Sequence, residues 1–280
     1  MSNNSSHHKI WDINIFFREM DFFMKRLFCA FCALLALPLT AAERKAAKID
    51  LAEVKNGLVF FTFDDRNFHG WQKAVPLFRK YDAYVTFFVC GNIDKKTAGI
   101  MKKLQQEGHA VGLHSQNHSK TPEVLEKLGA EKYLQTEIFP QLESCRKAGI
   151  NAGCFAYPFS QRTAETDALL GKYFKRYRTG ISRADLANIM ENKSFFLDIA
   201  DLKNTPLMPG AGIGSSYNTT PELMRDILTR AARENKAVVF YSHDISDTPD
   251  RVSMSFELLE YALRLARELG VKVVSFSQIP

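Results

Sequence analysis

From about residue 50 the chain alternates short apolar runs with longer stretches whose apolar residues recur every three or four positions. Residues 58–63 are apolar except for Thr62 and end in Asp64-Asp65, which predicts a buried strand with a polar exit. Residues 71–81 have helical spacing, with Val75, Leu77 and Phe78 apolar, and residues 83–89 are aromatic and β-branched, as in a buried strand. A helix follows over 97–106, closed by Gly108, then a strand over 109–113. Residues 122–148 read as two consecutive helices ended by Gly149, and 153–157 as a strand cut off by Pro158. The pattern continues with a helix over 164–174, a strand near 176–179, an amphipathic helix over 221–235, a strand over 237–241, a helix over 256–269 and a last strand over 271–276. Residues 182–220 are the least regular; with Pro206, Pro209, Gly210, Gly212 and Gly214 they read as a long loop over one face.

Strands that alternate with helices imply a parallel sheet with helical crossovers, and about seven such units in about 235 residues suit a closed or nearly closed α/β barrel. With 280 residues, 46% of them apolar, the chain supports one sizeable core, and no repeat, low-complexity tract or linker divides it.

The N-terminal stretch is set apart from this pattern. Met24-Lys25-Arg26 precedes thirteen uncharged residues, 27–39, and the small residues Thr40-Ala41-Ala42 follow. A basic start, a short apolar centre and a small-residue end describe a secretory signal peptide, with translation starting at Met24. The expected organisation is a leader over 1–42 and a single catalytic domain over 43–280, secreted or periplasmic. Thirteen apolar residues are too few for a comfortable permanent span, although a retained leader would let residues 11–39 act as an anchor. No lipoprotein pattern precedes Cys29 or Cys32.

The net charge is +6, or +5 without residues 1–42, and no long basic run concentrates it, so nucleic acid is not an expected partner. Of five cysteines, Cys90, Cys145 and Cys154 lie beyond the leader; an odd number without Cys-x-x-Cys spacing makes neither a zinc ribbon nor a disulfide framework.

The polar residues gather at strand ends. The clusters are Asp64-Asp65, His114-Ser115-Gln116-Asn117-His118, Tyr157-Pro158-Phe159 and Ser242-His243-Asp244. In α/β barrels, catalytic groups collect at the C-terminal ends of the strands. His114 and His118, four apart, present two imidazoles to one ion if a turn follows the strand, and one carboxylate completes a three-ligand set with open positions. Zinc suits such a set, and cobalt or nickel would also bind. Adjacent aspartates divide the work naturally, one binding the ion and the other taking a proton from its water.

Taken in order, Thr62-Phe63-Asp64-Asp65, Val85-Thr86-Phe87-Phe88-Val89, Gly108-His109-x-x-Gly112-x-His114, His114-Ser115-x-x-His118, Tyr157-Pro158-Phe159 and the late apolar strand ending in His243 resemble the polysaccharide deacetylase family, the NodB-homology group or carbohydrate esterase family 4. The resemblance covers roughly residues 50–280. It implies a distorted (β/α)7 barrel and metal-assisted hydrolysis of N-acetyl groups on an N-acetylglucosamine-containing polysaccharide, whether chitin-like, peptidoglycan or exopolysaccharide. By that resemblance Asp64 is the catalytic base, and Asp65, His114 and His118 are the metal ligands. Phe159 offers its backbone N–H to the oxyanion, and His243 is the general acid. His109 takes a structural role.

There are departures from the family pattern. Many members carry an arginine before the proline–aromatic pair, where it pairs with the base; here Ala156 stands there. Arg178, at the end of the next strand, is the candidate to tune the base instead, its alternative being a solvated surface arginine. Asp198 or Asp201 would orient His243, and His69 is a further, weaker ligand candidate. The family's Asp-x-x-Asp-Trp element is not visible. Two alternatives stand beside this reading: a metal-dependent deacylase of a small amide or cyclic imide, and a catalytically inactive carbohydrate-binding barrel. A glycosidase needs two carboxylates about 5–10 Å apart, and no such pair presents itself beside the adjacent aspartates.

Overall fold

The computed structural model describes Arg44 and residues 46–280; residues 1–42, where a leader is expected, with Cys29 and Cys32, lie outside the described residues. Among these residues the strands are β1 (Leu58–Asp65), β2 (Thr86–Val89), β3 (Ala110–Leu113), β4 (Cys154–Ala156), β5 (Arg176–Gly180), β6 (Leu197–Asp198), β7 (Leu207–Gly212), β8 (Lys236–Ser242) and three two-residue strands, Ile245–Ser246, Met254–Ser255 and Lys272–Val273; of the first eight, seven build the barrel. These seven, all but the two-residue β6, form one closed ring, in the order β1-β2-β3-β4-β5-β7-β8, with β8 returning to β1. Every pairing in the ring is parallel. The architecture is a (β/α)7 barrel. It is distorted at the N-terminal ends of the strands. There β6 lies antiparallel on the start of β8, and Lys272–Val273 pairs with the start of β1, outside the ring.

The helices are α1 (Phe68–Lys80), α2 (Lys95–Gln106), α3 (Thr121–Tyr133), α4 (Phe139–Ala148), α5 (Ala164–Leu170), α6 (Arg183–Ala187), α7 (Pro221–Glu234) and α8 (Phe256–Leu269). The last two are capped as their sequences dictate. Thr220 and Ser255 accept from Leu223 N and Leu258 N, and Asn235 and Gly270 close them in the left-handed conformation. Among the described residues no helix is long and apolar enough to cross a membrane.

The period of two along each strand sorts the core into two layers. Val59, Phe61 and Phe63 of β1 face outward and pack with Trp71, Ala74 and Phe78 of α1. Leu58 and Phe60 face inward and share the barrel interior with Phe88, Ala156, Met208 and Val239. Each large apolar side chain so enclosed contributes about 1.5–3 kcal/mol, and together they make the barrel floor solid. Cys90, Cys145 and Cys154 are free thiols.

Two sequence expectations change. The segment over 182–220 contains a full barrel strand, β7, whose Leu-Met-Pro-Gly-Ala-Gly sequence carries turn residues rather than a strand signature. The last strand over 271–276 shrinks to Lys272–Val273, and Phe276–Gln278 is a 3-10 turn. The count of seven is the same, but β7 fills the place assigned to the C-terminal run. The glycines of β7 leave room for bulky neighbours: a Cβ on Gly210 would lie 3.3 Å from Arg178 Cδ, and one on Gly212 would lie 2.5 Å from the Tyr217 ring.

Candidate metal and catalytic site

The same alternation aims β1 at the mouth of the barrel. Asp64 continues the inward series Leu58, Phe60, Thr62 and is 2% exposed. Asp65 would point outward like Phe63, but its backbone is left-handed, φ +79°, which breaks the strand and turns its carboxylate back to the mouth. Two adjacent carboxylates thereby approach one imidazole, with Asp64 Oδ2 4.0 Å and Asp65 Oδ1 3.7 Å from His114 Nε2. Asp65, Ser115, His118, Phe159 and Ser160 all have positive φ, five of the eight such non-glycine residues described. Unfavourable backbone geometry is concentrated at this face.

His114 follows β3 and is buried. Its Nδ1–H donates to the Ala156 carbonyl at 2.8 Å, which leaves the Nε2 lone pair free to bind. Burial, the largest influence, lowers the imidazole pKa, so the ring stays neutral. His114 Nε2 lies 3.7 Å from Asp65 Oδ1, His118 Nε2 lies 3.4 Å from the same oxygen, and the two Nε2 atoms are 3.2 Å apart. Bonds of about 2.0–2.1 Å to a tetrahedral zinc place neighbouring ligand atoms about 3.3–3.4 Å apart. The set Asp65, His114, His118 therefore has the donors and spacing for one divalent ion with at least one open position. His69 is exposed and outside this group.

Arg178 is 1% exposed, not a surface residue, and its guanidinium donates to Asp64 Oδ2. Ala156 and Arg178 are register partners on β4 and β5. An arginine on β5 thus stands one strand, about 4.8 Å, from the position it holds in many family members. Ala156 and Gly210 leave room for it, and the Tyr241 ring lies under the guanidinium at 4.4 Å. Burial by itself would raise the Asp64 pKa, but Arg178, with His114 and His243, holds the carboxyl below its usual value. Among the described residues Asp64 Oδ1 is buried without a hydrogen-bond partner, so one oxygen of the carboxylate stays unused.

His243 leaves β8 across the mouth, its Nε2 3.9 Å from Asp65 Oδ2. Its Nδ1–H donates to the Val252 carbonyl at 3.1 Å, and Trp71 Nε1–H holds the His243 carbonyl at 2.8 Å. Asp198 does not orient it: it pairs with Lys236, at the other end of β8, and Asp201 lies in the turn that follows Asp198. Phe159 is 58% exposed, its ring edge-on to His118 at 4.7 Å. Its positive φ interrupts the turn, and its N–H donates to no carbonyl among the described residues.

Sequence comparison matches residues 52–176 to the polysaccharide deacetylase family model. The match spans 125 of the 280 residues and marks that segment as similar to polysaccharide deacetylases. The barrel superposes on the chitin deacetylase of the fungal pathogen Colletotrichum lindemuthianum with a TM-score of 0.56, at 18% identity, over 80% of this chain and 87% of that one. That likeness is one of fold. Among curated proteins, an uncharacterized 30.6 kDa protein of Geobacillus stearothermophilus is 36% identical over 61 residues, 21% of this chain and 23% of its own length. The peptidoglycan-N-acetylmuramic acid deacetylase PdaA of Bacillus subtilis is 32% identical over 69 residues, 24% of this chain and 26% of its own length. The chain thus spans about a quarter of these curated relatives.

The family match includes Asp64, Asp65, His114, His118 and Phe159, and stops before Arg178 and His243. The barrel brings all seven to one mouth. Sequence reasoning did not find Trp71, the Val252 carbonyl or Glu137. Glu137 is buried and accepts from Asn117 N at 2.9 Å, Asn117 Nδ2 at 2.8 Å and Ser119 Oγ at 3.1 Å, on both sides of His118. The sequence signal for it is a carboxylate on the face of the helical stretch that otherwise carries Tyr133, Leu134, Ile138 and Cys145.

Proposed function

We propose that this protein is a metal-dependent hydrolase that removes N-acetyl groups from an N-acetylglucosamine-containing polysaccharide. The observation that carries the reading is the convergence of Asp65 Oδ1, His114 Nε2 and His118 Nε2 next to the buried Asp64 carboxylate, whose Oδ2 lies 4.0 Å from His114 Nε2 and whose Oδ1 has no partner among the described residues. A divalent ion in that set, zinc by its donors and cobalt or nickel as substitutes, would polarise the acetamide carbonyl and bring the pKa of a water ligand toward about 7.

The chain's own residues would do the rest. Asp64 Oδ1 accepts the proton of the attacking water, while Arg178 holds Oδ2 and keeps the carboxylate ionised and in place. The Phe159 N–H, held outward by its left-handed backbone, donates to the oxyanion that develops on the carbonyl. His243 keeps its Nδ1 proton on Val252, so Nε2 is the atom that carries a second proton to the departing amine, a poor leaving group as an anion. The exposed Phe159 ring at the rim offers an apolar surface to a sugar face.

Residues 1–42 serve in this reading as a secretory leader that delivers the catalytic domain, 43–280, to the cell envelope, where N-acetylated glycans are found. The relation to PdaA, whose name specifies a peptidoglycan substrate, supports that placement. The test is His114→Ala. It should lose both the ion and acetate release while its circular dichroism stays that of the parent. Stoichiometric metal in that variant would contradict the ligand set.

A further inference from the structure

We propose that Glu137 is a positioning residue for the metal site: it clamps the loop that carries His118 so that His118 Nε2 meets His114 Nε2 and Asp65 Oδ1. The inference rests on the metal reading of those three residues.

Between α3 and α4 the chain does not remain α-helical. Leu134–Ile138 is a π-helical turn, with Leu134, Glu137 and Ile138 buried. The wider turn inserts one residue into the helix, and such insertions recur at functional sites. Here it delivers Glu137 to the loop after β3. Both carboxylate oxygens are used, Oε2 by Asn117 N and Oε1 by Asn117 Nδ2 and Ser119 Oγ. The Glu137 carbonyl takes a further N–H, from Gln116 at 2.9 Å. One residue therefore ties down positions 116, 117 and 119, the two neighbours of His118 and the residue before them.

Two features show that this is more than a satisfied core group. The loop is strained: Ser115 and His118 have φ of +61° and +51°, a conformation that non-glycine residues hold only when their surroundings impose it. Glu137 is also only 3% exposed, yet among the described residues no lysine, arginine or histidine pairs with it. A carboxylate buried without a counter-charge is a costly choice at a core-facing helix position, where leucine would pack without that penalty. What the carboxylate supplies and leucine cannot is the set of acceptors that shapes the loop. On the same buried face, one turn on, Gln141 donates to the Val89 and Gly91 carbonyls, fixing the end of β2 beside Asp65.

The test is a cobalt titration of the metal-stripped full chain, read by visible absorbance, for the parent, Glu137→Gln and the pair Asn117→Ala/Ser119→Ala. The parent should take up one Co2+. Glu137→Gln, which keeps the shape and removes charge and acceptor capacity, should bind about tenfold more weakly, the lower end for residues that hold metal ligands in place. Its absorption band should also change, because His118 is no longer fixed. The Asn117/Ser119 pair leaves the glutamate in place and removes its side-chain donors; it should weaken cobalt binding in the same direction. A folded Glu137→Gln with the parent's affinity and spectrum would overturn the proposal. If Glu137→Gln does not fold, parental cobalt binding by the Asn117/Ser119 pair would overturn it. A parent that takes up no cobalt would overturn the metal reading itself, and the role of Glu137 with it.

Discussion

Asp64 and Arg178 form a buried pair whose worth lies in its completeness. Removing the arginine alone leaves an uncompensated carboxylate inside the barrel, which typically costs about 3–5 kcal/mol. Arg178→Met should therefore lower the thermal midpoint by about 6–20 °C for a domain of this size, and Asp64→Asn in the same chain should restore part of it; a midpoint unchanged in the single variant would show that the pair is not closed in solution. The two residues proposed to transfer protons, Asp64 and His243, separate by leaving group. Asp64→Asn and His243→Ala should each reduce kcat on an acetamide by ~10²–10⁴ and leave metal content near parental. On an activated aryl ester, whose phenolate leaves without help, His243→Ala should recover much of its rate and Asp64→Asn should not. Equal losses on both substrates for both variants would contradict the assignment. At this scale the candidate ligand set, Asp65, His114 and His118, was legible because His-x₃-His and Asp-Asp are unusual at strand exits. The partner of Asp64 was half legible: the alternation of β5 puts Arg176 and Arg178 on one face, but which face is inward depends on a register the sequence does not display. What holds His243 was not legible, because the Val252 carbonyl and the Trp71 indole are ordinary groups made special only by their place.

Among the elements, β7 and the π-helical turn escaped the sequence reading for opposite reasons. Strand β7 carries Pro209, Gly210 and Gly212, which disfavour strands, and its glycines leave the space that Arg178 and Tyr217 occupy. The π turn is built from good helix formers and differs from a continuous helix by one residue, which no periodicity over so short a stretch reveals. By contrast β1 and β2 were plain as continuous apolar runs, and α7 and α8 as amphipathic helices with clear caps. The junction of β2, β3 and α1 carries its own pH prediction. Val85 N donates to His109 Nδ1 at 3.2 Å, and the ring sits edge-on between Phe78 and Phe87, its Nε2 buried without a partner. Burial, with Arg44 and Arg79, lowers its pKa from 6.5 to about 3. The unfolded chain therefore binds a proton that the folded chain refuses. The stability contribution is full above pH 6.5 and falls, by up to about 1.4 kcal/mol per pH unit, as pH drops toward 3. Urea unfolding of His109→Phe at pH 7, 5.5 and 4.5 should show an acid slope shallower by about one proton than the parent's. An identical slope would mean that the imidazole is protonated in the folded state.

For the molecule as a whole, the order of motifs was worth more than any one of them. Four polar strand exits specified a barrel and its working face before any strand partner was known, and the closed parallel ring with the family match over 52–176 bears out the fold and the family resemblance. The substrate is a different matter: polymer identity depends on loop shapes around the mouth, such as α6 after β5, which follow from packing rather than from a local pattern. The central claim is that one bound ion and N-deacetylation go together. It is tested most directly by measuring acetate released from an N-acetylglucosamine oligomer by the 43–280 domain as prepared, after exhaustive chelation and after stoichiometric zinc is returned, with metal counted in each sample. The account predicts one ion per chain and acetate release in the first and third samples, and neither in the second. Undiminished acetate release from the stripped protein, or none from protein holding its full ion, would contradict it.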